Sequence, residues 1–275
     1  MTPQSITLEI KKKKSFLCIG LDTDITKIPR HLLQTSSPIF EFNKAIIDST
    51  NKFCVAYKPN IAFYEASGEE GWRALKLTIN YLNNNYPEIF TIADAKRGDI
   101  GNTSQMYAKA FFEDLGFDSV TVSPYMGSDS IEPFLEFENK YAIMLTITSN
   151  RGSFDYQNLD CNNKKLFQLI IEKSIKFKNP QRLMYVVGAT KPEFFKIIRE
   201  IIPDSFLLVP GVGTQGGSLS KVCEFGLNNQ VGVLINSSRE IIYASSGKDF
   251  AENAAFKAKT FQKKMNNILL QKKIY

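Results

Sequence analysis

The run Asp94-Ala95-Lys96-Arg97-Gly98-Asp99-Ile100-Gly101-Asn102-Thr103 follows directly on the apolar stretch Ile89-Phe90-Thr91-Ile92-Ala93. Residues two apart on an extended strand point to the same side. Asp94 and Lys96 are therefore expected to project together from one strand end, with Asp99 in the loop just beyond. Two carboxylates and an ammonium held so close are costly to desolvate unless they serve one another. Such a cluster implies that charge is being managed deliberately at the strand end. The competing interpretation is an exposed charged loop, and the rest of the chain decides between the two.

Eight short apolar runs punctuate the sequence, at residues 16–21, 55–57, 90–93, 120–122, 142–147, 184–187, 206–209 and 231–235. Continuous apolar strands imply burial on both faces, as in a parallel sheet. Helical patterns lie between them, among them 72–83, 102–115, 164–177 and 192–202. Eight strand-helix units in a chain of 275 residues predict a single-domain (β/α)8 barrel spanning 1–275. An open doubly wound sheet is the alternative, but no Gly-x-Gly-x-x-Gly turn follows the first strand. A closing amphipathic helix is expected at about 248–271, with Phe250, Ala254, Ala258, Phe261, Met265 and Ile268 as its apolar stripe.

Composition removes several function classes. The net charge of +6 invites a nucleic-acid interpretation. Yet the surplus lysines are dispersed between residues 11–14 and the outer face of the last helix, so no nucleic-acid partner is expected. No apolar run is long enough to cross a bilayer, and the N-terminus lacks the apolar core of a secretory signal. The expectation is a cytoplasmic protein without a membrane partner. Cys18, Cys54, Cys161 and Cys223 show no paired metal-ligand spacing, and Cys18 and Cys54 sit in apolar runs as buried, reduced thiols. The single histidine, His31, falls in an expected loop, which argues against a histidine base or a histidine-ligated metal.

Catalytic groups of such barrels gather where the strands end. Here the strand ends carry Asp22, then Lys58-Pro59-Asn60, then Asp94 and Lys96, with Ser123-Pro124, Thr148-Ser149-Asn150 and Gly188-Ala189-Thr190 following. The seventh and eighth give Pro210-Gly211-Val212-Gly213-Thr214-Gln215-Gly216-Gly217 and Asn236-Ser237-Ser238-Arg239. Glycines let backbone N–H groups approach an anion, and arginine adds a planar donor fork, so the last two strand ends predict a phosphate clamp.

Taken together, Gly20-Leu21-Asp22-Thr23-Asp24, Lys58-Pro59-Asn60-Ile61-Ala62-Phe63-Tyr64-Glu65, the 94–103 run, Val186-Val187-Gly188-Ala189-Thr190 and the two late loops resemble orotidine 5'-phosphate decarboxylase in its longer bacterial (type 2) form. The resemblance covers nearly the whole chain. It implies cofactor-independent and metal-independent decarboxylation of orotidine 5'-monophosphate to uridine 5'-monophosphate and carbon dioxide, in pyrimidine synthesis. By motif position it assigns Lys96 as the proton donor to C6, Asp94 as the group facing the substrate carboxylate, and Lys58 as a partner of Asp94 and of the ribose. It implies a homodimer in which Asp99, with Ile100 and Thr103, completes the neighbouring subunit's site. Asp22 and Asn60 fall at ribosyl contacts, Ser149 at a pyrimidine contact, and Gln215 and Arg239 at phosphate contacts. Pro210 and Ser238, in the matching loops, join the substrate-binding set.

The chain departs from the family pattern at Arg151, Thr214 and Glu240, and the Glu240 side chain is expected to point away from the phosphate. A magnesium-dependent sugar-phosphate enzyme of the same superfamily would carry a metal-binding glutamate where this chain has Lys58, and an ammonium repels the ion. A Schiff-base aldolase needs a neutral lysine, which adjacent carboxylates disfavour. A catalytically silent nucleotide-binding protein would be signalled by loss of Asp94 or Lys96, and both are present.

Overall fold

The eight apolar runs form eight parallel strands of one closed barrel in the computed structural model, which describes residues 1–213 and 216–274. They are β1 (Leu17–Gly20), β2 (Ala56–Lys58), β3 (Phe90–Arg97), β4 (Ser119–Val122), β5 (Tyr141–Ile147), β6 (Leu183–Val187), β7 (Leu207–Pro210) and β8 (Val233–Ser237). Each pairs with the next in sequence, and β8 pairs back onto β1. Gly20 lies in register with Lys58 and Ile19 with Ser237, so the first, second and eighth strand ends reach one level. The chain is a (β/α)8 barrel.

Helices clad the outside, including α1 (Pro3–Lys13), α2 (Pro38–Thr50), α3 (Gly68–Asn85), α4 (Gly101–Lys109), α5 (Leu166–Ser174), α6 (Glu193–Ile201), α7 (Leu219–Gly226) and α8 (Phe250–Gln271). In α8 the inward stripe is Phe250, Ala254, Ala258, Phe261, Met265 and Leu269, one residue on from the expected Ile268, while Lys259, Lys263 and Lys264 face water. The rings of Phe42 and Phe250 stack 5.2 Å apart and tie α2 to α8. Among the described residues no helix is long and apolar enough to cross a membrane. Burial pushes the Cys54 thiol up to about 11, as expected of an inert core cysteine.

Three local expectations are corrected. Lys164–Lys165 does not open a helix but pairs with Asp160–Cys161 as a small antiparallel hairpin. Asn162 and Asn163 both take positive φ at its tip, the conformation a two-residue hairpin turn requires. The helix expected to run to residue 115 ends as α4 and continues into a π turn, Ala110–Asp114. His31 lies in a short 3-10 helix, Arg30–Gln34, and not in an open loop.

Candidate active site

β3 outlasts its apolar run and carries the charged residues as far as Arg97. Its register against β4 slips between Ala93 and Arg97, and Lys96 adopts the left-handed backbone region (φ 49°). Asp94 and Lys96 do converge, but through this bend and not through regular alternation. Lys96 Nζ lies 2.5 Å from Asp94 Oδ1, and Lys58 Nζ, rising from the end of β2, donates to Asp94 Oδ2 at 2.7 Å. Asp22, just past β1, brings Oδ1 to 4.0 Å from the same Lys58 nitrogen.

The electrostatics follow from this packing. Burial alone would lower the Lys58 pKa, but Asp94 and Asp22 outweigh it and hold the ammonium above its ordinary range. Burial alone would raise the Asp94 pKa, but Lys58 and Lys96 outweigh it through charge and hydrogen bonding, holding the carboxyl well below the usual carboxylate range. The Lys58 side chain is only 5% exposed, whereas that of Lys96 is 49% exposed, so Lys96 is the more open of the two amines.

Two cavities meet at this cluster and share Lys58, Asp94 and Pro210 as their common wall. One, of about 190 Å³, is polar, and brings together Asp22, Asn60, Asn236, Ser238 and Arg239. The other, of about 430 Å³, has an apolar floor of Leu145, Val186 and Leu208, with Lys96 and Ser149 above it. Asp22 Oδ1 is buried without a hydrogen-bond partner among the described residues. Its backbone is pinned from both sides: Tyr64 Oη donates to Leu21 O (2.9 Å) and Tyr243 Oη to Asp22 O (2.9 Å). Gly20 is required by close approach, since a Cβ there would fall on the Ser238 hydroxyl. Gln215 and Thr214 lie outside the described residues.

Asp99, Ile100 and Thr103 line neither cavity of their own chain. Asp99 Oδ1 accepts from the Ile100 N–H (2.7 Å), and Ile100 is 54% exposed. Other apolar side chains are exposed on this and the following strand-helix unit, including Met106, Tyr125 and Met126. Arg97 turns away from the cluster, pairing with Glu65 and covering the Tyr107 ring. Arg151 is exposed. Glu240 does not point away: its carboxylate lies against the glycine loop, where a Cβ on Gly213 would be 2.8 Å from Oε2. The cause is the helical turn Arg239–Ile242, in which adjacent side chains diverge by about 100° and not by half a circle.

Sequence reasoning missed three residues. Thr121, inside β4, accepts from the Lys96 N–H (2.8 Å) and donates to Asp94 Oδ1 (3.2 Å); its one signal was a hydroxyl in a buried apolar strand. Asn236, placed at the eighth strand end but assigned no contact, lines the polar cavity itself. Lys191 is buried with Nζ on Ser153 Oγ and 3.7 Å from the Phe154 ring centre, which fastens the loop after β6 to the loop after β5. Burial lowers its pKa.

The profile of the orotidine 5'-phosphate decarboxylase / HUMPS family matches residues 15–254. The chain is 64% identical over 269 residues to orotidine 5'-phosphate decarboxylase of Flavobacterium johnsoniae, covering 98% of each. It is 63% identical over 265 residues to that of Christiangramia forsetii, covering 96% of this chain and 97% of the other. The solved structure of Leishmania donovani OMP decarboxylase superposes with a TM-score of 0.84 at 34% identity, covering 98% of this chain and 99% of that one.

Proposed function

The chain belongs to the orotidine 5'-phosphate decarboxylase / HUMPS family and is a carboxy-lyase, and on that premise we propose that Lys96 delivers the proton that replaces the departing carboxylate at C6 of orotidine 5'-monophosphate. The observation that carries this proposal is the bridge of Asp94 between two lysine ammoniums at the wall shared by the two cavities. The pyrimidine would rest on Leu145, Val186 and Leu208 beside Ser149. Asp22, Asn60 and Lys58 would meet the ribosyl hydroxyls, with Asp22 Oδ1 as a ready acceptor. Arg239 and Ser238, with the Gly211 backbone, Pro210 and Gln215, would hold the phosphate.

As the C6–carboxylate bond breaks, its electron pair stays on C6 in an orbital that the ring delocalises poorly. A fixed positive charge at that point stabilises the transition state more than the ground state. The Lys96 ammonium supplies it and then transfers one N–H proton to C6, leaving uridine 5'-monophosphate, carbon dioxide and a neutral amine that water reprotonates. Asp94, ionised at neutral pH, repels the substrate carboxylate and orients both amines. Phosphate binding far from the reacting carbon supplies energy that orders the loops around it.

We further propose a homodimer in which Asp99, Ile100 and Thr103 serve the neighbouring subunit. The absence of these residues from their own chain's cavities and the exposure of Ile100 support that reading. Purified protein should deplete the absorbance of orotidine 5'-monophosphate equally with and without chelator. Turnover that requires added magnesium would point to sugar-phosphate chemistry instead, and tight nucleotide binding without turnover would make the chain a silent relative.

A further inference from the structure

Beside the active site, on the same end of the barrel, lies a cavity of about 670 Å³ that the decarboxylation does not use. It opens between the segment after β1 and the segment joining β8 to α8. Its lining includes Lys27, Arg30, His31 and Lys248 and, among the described residues, no carboxylate. Lys27 is offset by Asp24 at 2.9 Å, but Arg30 and Lys248 form no ion pair among the described residues. Asp249 borders the cavity, its carboxylate accepting from the lining residue Ser245 (Oγ, 2.6 Å) and from Asn253 Nδ2 (2.8 Å). Arg30 and Lys248, neither in an ion pair among the described residues, thus share one concave surface with Lys27 and His31, a cationic setting that attracts a multiply charged anion.

Tyr243 also lines the cavity. Its hydroxyl donates to Asp22 O at 2.9 Å and accepts from the Asp24 N–H at 2.7 Å. The opposite side of that backbone segment carries the Asp22 carboxylate, which faces Lys58. A group seated against Tyr243 is thus one side chain away from the ribosyl end of the active site, and the two sites have a physical route by which to influence each other.

We propose that this rim cavity is a second anion site, separate from the substrate phosphate clamp. It takes a small molecule bearing a diphosphate group, and its occupation changes substrate affinity through Tyr243 and Asp22. The Ile28 and Tyr243 surfaces add apolar contact for whatever the diphosphate is attached to.

His31 is the only histidine of the chain, so selective histidine labelling gives one NMR signal that reports on this cavity. The probe is inorganic pyrophosphate, added to enzyme whose active site is saturated with uridine 5'-monophosphate. A saturable shift of the His31 signal is expected, with a Kd between about 10 µM and 1 mM. The double variant Arg30→Ala/Lys248→Ala should weaken it at least about tenfold while leaving kcat unchanged without pyrophosphate. In steady-state assays pyrophosphate should change the substrate KM by about fivefold in the wild type. That change should vanish in the double variant, and in Tyr243→Phe it should vanish while the His31 shift persists. A shift that never saturates, that chloride reproduces at equal ionic strength, or that survives the double substitution overturns the site. Saturable binding with KM unmoved overturns the coupling, and a KM change of equal size in the double variant assigns pyrophosphate to the substrate's own clamp.

Discussion

Replacing Asp94 by asparagine keeps the shape of the side chain and removes the one charge that both lysines share. Lys58 is then left buried, with a side chain 5% exposed and only Asp22 at 4.0 Å to oppose it. Breaking one partner of a buried ion pair costs about 3–5 kcal/mol. Asp22 offsets part of this, so the lower end, about 3 kcal/mol, is expected. Lys96 adds little to the sum, because an ammonium half in water contributes about 0–1 kcal/mol. At about 2–4 °C per kcal/mol for a chain of this size, Tm should fall by roughly 6–12 °C. Urea unfolding followed by the single tryptophan, Trp72 in α3, measures the same loss directly. The pH dependence carries a second signature. The folded Asp94 carboxyl ionises well below its unfolded value of about 3.9, so its stabilisation is complete above about pH 5 and disappears as pH falls through the depressed value. The folded Lys58 pKa is raised, so its contribution is complete below about pH 9 and is lost only in strong base. The pair is therefore silent between those limits, and Asp94→Asn should lack the acid limb of the wild type. Turnover should fall by on the order of 10³-fold, since both amines lose their anchor. An unfolding free energy within about 0.5 kcal/mol of the wild type, with the same acid limb, would refute the reasoning.

Lys96→Ala should lower turnover by on the order of 10³-fold while product Kd stays within about threefold, since a half-exposed amine contributes to chemistry more than to folding; normal turnover would remove the proton-donor role. Asp99→Ala and Lys96→Ala proteins, each nearly inactive, should recover roughly a quarter of wild-type activity when mixed and allowed to exchange subunits, as a shared two-fold site demands; no recovery would place Asp99 in its own chain's site. Glu240→Gln should tighten inorganic phosphate binding by up to about fivefold at low salt, an effect that titration calorimetry should find screened at high salt, because the carboxylate sits beside Gly213. Thr121→Val should cost about 1–2 kcal/mol in denaturant unfolding and roughly tenfold in turnover, since it removes the hydroxyl that holds both Asp94 and the Lys96 backbone.

Most of the barrel was readable because buried parallel strands write themselves as uninterrupted apolar runs, and their ends then name the residues at the mouth. Asp22, Lys58, Asn60, Asp94, Ser149 and Arg239 line the paired cavities for that reason. What escaped depends on geometry that residue type does not encode. Thr121 has the composition of an ordinary strand residue, and its hydroxyl acquires meaning only when β4 is laid beside β3. Glu240 was misplaced because a single helical turn rotates it onto the glycine loop. The Asn162-Asn163 turn stayed hidden because two asparagines suit a helix edge as readily as a hairpin tip.

The left-handed backbone at Lys96 has an implication for protein engineering. A residue with a Cβ occupies that region at a cost of about 1–2 kcal/mol, and glycine or asparagine would sit there more comfortably. Copying the acid-amine-acid spelling onto a straight strand of another scaffold would therefore reproduce the letters and misplace the nitrogen. A transplant has to carry the kinked β3 end together with the β4 threonine that braces it.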